Sequence, residues 1–282
     1  MTETRVIVIV CAAVVALGLG LAVRWRRCAF VVPSHDGALD LKETVRRYVW
    51  YVSIAITAGV IAGATVIGAG GRLAMRILAV TGGSDAQGRI TEADETVGRI
   101  SFGGTLGFVM FVGVLGGIVF AAVYLVVRRY LPAGVAGGAL FGGLLLLVLG
   151  TRLDPLDPDN PDFHIVGPGW LAVLIFVVQG VLFGVTLAAV SGRLSTWLPL
   201  PAANRRVLVR YLGPAAFALI GFSVTFVVVI AGVVTVLLAR VRPIVTAVRS
   251  RRWVLVGRAA LAVTAVVSAP GAIAGVVDIV TA

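Results

Sequence analysis

The chain has 282 residues, 59% of them hydrophobic and 13% charged, with mean hydropathy +1.05. Soluble domains average about 45–50% apolar and about 25% charged residues, so a water-soluble domain is excluded and the class is integral membrane protein. A net charge of +11 and a pI near 11.1 would suggest a nucleic-acid partner in a soluble chain. Here the basic residues instead form short clusters between apolar runs, at Arg24/Arg26/Arg27, Arg46/Arg47, Arg128/Arg129, Arg205/Arg206/Arg210 and Arg249/Arg251/Arg252. That is the pattern of a chain threaded by its positive loops, and the expected partner is the lipid bilayer, not nucleic acid.

A hydrocarbon core about 30 Å thick needs about 20 helical residues to cross it with every backbone group paired. Runs at approximately 6–23, 48–70, 102–127, 131–150, 169–190, 211–238 and 259–281 meet or approach that length. The expected fold is all-α, a polytopic transmembrane helical bundle with about seven membrane-embedded segments forming one domain over 1–282. Trp25, Trp50, Trp170, Trp197 and Trp253 fall at or near the ends of these runs, where half-wet aromatic rings favour the interface.

The first run is longer than a signal-peptide core and is followed by RWRRC, without a small-residue cleavage site, so it reads as a retained anchor. Ile9 and Val10 before Cys11 also lack the small residue of a lipidation site. Cys11 and Cys28, about 25 Å apart along one helix, make neither a disulfide framework nor a metal cluster.

The second run ends at Gly70, with Arg72 and Arg76 just beyond it. Four residues apart, they share a helix face beside Leu73, Ile77 and Val80, as in a short amphipathic turn at the membrane rim. The following loop carries Asp85, Glu92, Asp94 and Glu95, with glycines at 82, 83 and 88 that break the helix and a weak capping box from Thr91 to Asp94. Arg72 and Arg76 can therefore meet lipid phosphate, an ion pair with Glu92, Asp94 or Glu95, or an anionic substrate.

The loop at 151–169 gathers Asp154, Asp157, Asp159, Asp162 and His164 among four prolines. Asp157 and Asp159 open a calcium-loop pattern, but Asp162 stands where its glycine should be and no glutamate closes it, so no metal site is expected. Segments 3 to 6 hold no Asp, Glu, Lys, Arg or His. Gln179, Thr105 and Thr225 are the candidates for a polar path, and a lone amide such as Gln179 more often makes an interhelical hydrogen bond.

Glycine pairs at four-residue spacing recur: Gly59 with Gly63, Gly103 with Gly107, Gly113 with Gly117, Gly134 with Gly138 and Gly142, Gly180 with Gly184, and Gly271 with Gly275. Helices in lipid associate by close backbone approach, so these faces serve bundle packing or contact with a second copy or another membrane protein. No zinc-helix, phosphate-loop or serine-elbow pattern occurs, so no catalytic residue and no cofactor is expected.

Counting basic residues in loops favours the N-terminus outside. Six arginines between 239 and 258 oppose that orientation if 211–238 crosses once, and agree with it if 211–238 is re-entrant. The stretches GGRLAMRILAV, SFGGTLGFVMFVGVLGG and RRYLP, with 23 Arg against one Lys in the whole chain, resemble segments of uncharacterised multi-pass membrane proteins of high-GC bacteria. The resemblance spans about a third of the chain and implies a bacterial plasma membrane location, with no activity and no site residues. The expected function is a non-catalytic membrane component for assembly, scaffolding or sensing; the alternative is a transporter or channel subunit for a neutral or anionic solute.

Overall fold

A computed structural model describes residues 2–34, 40–83, 86–90, 96–152, 156–157, 166–220 and 250–281. The described residues form helices and no strands, apart from an isolated bridge between Ile90 and Thr96. The helices are α1 (Thr2–Trp25), α2 (Leu41–Thr81), α3 (Phe102–Tyr130), α4 (Val135–Leu149), α5 (Gly169–Trp197), α6 (Arg205–Ile220) and α7 (Arg251–Thr281). Five of them, α1, α2, α3, α5 and α7, are long and apolar enough to cross a membrane.

Most helices outrun the apolar segments, because Arg, Glu and Leu in the flanks are good helix formers and the ladder continues into them. The second run was expected to stop at Gly70. Instead α2 starts at Leu41, where the Asp40 side chain caps the Glu43 N–H at 2.7 Å, and continues through Arg72 and Arg76 until Gly82. The arginines thus lie on a continuation of the same helix. α5 continues to Trp197 instead of 190, and α7 begins at Arg251 instead of 259.

The fourth segment shrinks in the opposite direction. Pro132 and Gly134 hold the chain out of helix, Gly134 at φ 72 and ψ −152, a conformation open to glycine almost alone. Only fifteen residues follow in α4. Of the expected segment 211–238, the part beyond Ile220 lies outside the described residues.

α2 packs on α3 and α5, α4 packs on α5, and α1 and α7 close the bundle against α5. The central core joins Ala58, Ala62, Ala121, Tyr124, Phe141, Phe183, Leu187 and Val190. Small alanines let the helices approach, and the large side chains fill the spaces above and below.

The contacts between helix ends sort the cations. Arg46 donates to the Pro201 carbonyl at 2.5 Å, Arg210 to that of Trp197 at 2.7 Å and Arg258 to that of Tyr130 at 3.3 Å, while the Arg128 guanidinium lies 3.6 Å from the Phe30 ring centre. One end of the bundle therefore gathers the basic residues of the α1–α2 connection, the α3–α4 turn, the α5–α6 turn and the start of α7. At the other end Gly167 rests on Leu78 and Thr81, the Phe102 N–H donates to Glu3 at 3.2 Å, and Gly169 touches Ile279.

Trp50 is covered by the protein itself. It is fully buried, donating its indole N–H to the Leu198 carbonyl at 2.7 Å and meeting Phe30 and Tyr51 edge-on. The turn after α5 folds over it, and a buried indole N–H requires an acceptor.

Candidate functional site

The site begins with backbone geometry. α2 widens into a π-helical stretch at Gly63–Ala69, and α3 does the same at Val109–Leu115. The two stretches face each other. A π-turn is wider than an α-turn and is rare outside places where neighbours hold it. Small residues supply the hold. A Cβ on Gly59 would sit 2.6 Å from the Gly117 carbonyl oxygen, one on Gly63 would overlap the Gly113 carbonyl, and one on Gly68 would come within 3.1 Å of the Val109 Cα.

A widened turn misaligns backbone carbonyls from their usual donors, and in lipid each such carbonyl needs another partner. Gln179, ten residues into α5 and so about 15 Å from its start, supplies one. Its Nε2 donates to the carbonyls of Val66 at 3.0 Å and Ile67 at 3.2 Å, both within the α2 π-stretch. The Gln179 Oε1 is buried with no hydrogen-bond partner. Thr65, on the same stretch, bonds back to the Ile61 carbonyl at 2.6 Å and fills the notch left by Gly18 of α1.

Arg72 and Arg76 sit at the far side of this knot. The Arg72 guanidinium lies 5.0 Å from the Phe108 ring centre, a cation–π arrangement, and Phe108 also covers Gly71, which stands beside Gln179. Arg76 donates to the Gly98 carbonyl at 3.3 Å and so ties the loop to α2. Gln87 makes a second tie, from its Nε2 to the Ala79 carbonyl at 2.6 Å. Glu92, Asp94 and Glu95, named as ion-pair candidates, lie outside the described residues, as do Thr91, Asp85 and Thr225.

Of the remaining polar-path residues, Thr105 is buried on α3 with its hydroxyl unpartnered. It is not hydrogen-bonded to Gln179. Asp154, Asp159, Asp162 and His164 are also outside the described residues. Among the described residues, no three His, Cys, Asp or Glu side chains gather as metal ligands.

Two sets of the glycine faces considered for contact with another chain are covered within this one. Gly59 and Gly63 close on Gly113 and Gly117, and Gly138 and Gly142 close on Gly180 and Gly184, backbone against backbone. Gly134 is not part of a packing face; it turns the chain into α4. Gly103, Gly107 and Gly271 meet nothing within 4 Å.

Residue reasoning missed the π-stretches, because hydropathy is blind to which carbonyl a donor reaches. The dense small-residue run GATVIGAGG, residues 63 to 71, was the available signal. No family model matches this chain, and neither a curated protein nor a solved structure matches it.

Proposed function

We propose that this protein is a multi-pass component of a bacterial plasma membrane that serves assembly, scaffolding or sensing and catalyses no reaction. The observation that carries the proposal is the use of Gln179. The most polar side chain of the apolar segments holds two backbone carbonyls of α2, and the surrounding glycines bring backbones into contact. These are the marks of a bundle closed on itself.

The basic end faces the cytoplasm on this reading, which puts the start of α1 outside. Arg205 and Arg251 begin α6 and α7 at the same end; the path between Ile220 and Ser250 lies outside the described residues. The transport alternative draws its support from the facing π-stretches, since irregular backbone at membrane depth can line a solute path.

An impermeant thiol reagent separates the two. In a Cys11→Ala, Cys28→Ser background, Thr105→Cys and Thr186→Cys are expected to stay unlabelled in membrane vesicles of either orientation, while the exposed Thr196→Cys reacts. Labelling of Thr105→Cys at a rate close to that of Thr196→Cys would establish a wet interior and replace the scaffold reading with transport.

A further inference from the structure

The basic end holds a groove of about 560 Å³ between the first turns of α2 and the turn entering α6, lined by Lys42, Arg46, Pro201, Ala202, Ala203 and Leu208. Its charge follows from the pairing around it. Glu43 is shared by two guanidinium groups, Arg46 at 3.2 Å and Arg47 at 2.9 Å, so one carboxylate leaves that trio net positive. Asp40 is the other described acid nearby, and its side chain is engaged in capping the Glu43 N–H. Lys42 is exposed and has no acidic partner among the described residues. Arg205 stands three residues before Leu208 and so shares its helix face.

Both walls repeat one pattern along their length. On α2, Lys42, exposed Val45, Arg46 and exposed Val49 follow one another along one face; on α6, Arg205 is followed by exposed Leu208 and Leu212. Each helix therefore sets exposed apolar side chains directly beside its cations. A soluble anion would use the charges and leave the apolar columns bare. An anionic phospholipid uses both, with its phosphodiester in the groove and its acyl chains along the valines and leucines.

We infer that the groove between α2 and α6 binds the headgroup of an anionic phospholipid, with Lys42 and Arg205 as the principal cations. Arg46 has a different task, because its Nε is already committed to the Pro201 carbonyl that shapes the groove. The inference rests on the membrane placement proposed above. Loss of that placement would show separately, as a chain that stays monodisperse in buffer without any amphiphile.

The test is native mass spectrometry of the full chain in a neutral detergent, titrated with phosphatidylglycerol or phosphatidylcholine. The wild type is expected to retain phosphatidylglycerol preferentially, and the Lys42→Gln/Arg205→Gln variant to bind it about fivefold more weakly per charge removed. Arg251→Gln/Arg252→Gln removes equal charge from α7, which does not line the groove, and is expected to bind within about twofold of wild type because a screened charge acts over only about a Debye length. Lys42→Arg keeps the cation and is expected to keep the affinity. No preference for phosphatidylglycerol, equal loss in both double variants, or displacement of the lipid by millimolar inorganic phosphate would overturn the inference. Because both substituted side chains are exposed, an unchanged thermal midpoint certifies the fold of each variant.

Discussion

A single amide carries much of the interior geometry. Gln179 reaches across from α5 to two carbonyls of α2, and removing it leaves both without that donor in a medium that supplies none. Interhelical hydrogen bonds in membranes are worth about 0.6 kcal/mol on average and up to about 1.7. Gln179→Leu is therefore expected to lower the unfolding free energy in detergent by about 1–2 kcal/mol, read from denaturant titration. A smaller loss would mean that the π-stretch relaxes to an α-turn and recovers its own bonds. Trp50→Phe makes a similar test at the other end of α2, where the Leu198 carbonyl loses its indole donor. The expected cost is about 1–3 kcal/mol for the stranded acceptor, with proteolysis moving to the 198–204 turn as the local sign.

At the scale of elements, the paired glycine faces are what allow α2 to meet α3 and α4 to meet α5 at backbone distance. Gly142→Leu would drive a side chain into the Gly180 carbonyl, while Gly103→Leu enters open space. The first is expected to abolish the folded species in size-exclusion chromatography and the second to leave it intact; equal behaviour would contradict the packing described. Much of this level was legible beforehand. Hydropathy located the cores of the described helices because apolar length is set by the bilayer, and glycine spacing marked the close faces at Gly59/Gly63, Gly113/Gly117, Gly138/Gly142 and Gly180/Gly184 but also the open positions Gly103 and Gly107. It could not choose between partners inside and outside the chain, since a groove has the same residues in either case. Helix ends were misplaced for a physical reason too: the Leu41–Arg47 turn is polar, yet Asp40 and Glu43 start a stable helix there. The π-stretches and the Gln179 contacts had no periodic signature, because their partners are main-chain oxygens.

For the molecule as a whole, the arrangement of arginines is the most telling property. The clusters lie far apart in sequence but meet at one end through carbonyl contacts from Arg46, Arg210 and Arg258. Sequence counting left a conflict at 239–258 that turned on whether 211–238 crosses once or is re-entrant; the contact of Arg258 with Tyr130 sets the start of α7 beside the α3–α4 turn without either assumption. Labelling of single cysteines by an impermeant reagent is expected to modify Thr196→Cys and Ser250→Cys from one side of the membrane and Thr151→Cys from the other. Reaction of Ser250→Cys with the Thr151→Cys group would reverse α7 and undo the one-ended charge.

The fifteen residues of α4 give an apolar column of about 22 Å, well short of a hydrocarbon slab of about 30 Å. On the membrane placement proposed above, lipids beside that helix would shorten or tilt to keep its ends wet, and the protein would carry a local dent in the leaflet along with it. Bilayers of shorter acyl chains relieve that mismatch and are expected to raise the thermal midpoint of reconstituted protein, whereas a thick, sterol-like membrane would squeeze α4 and expel the protein from its stiffest regions.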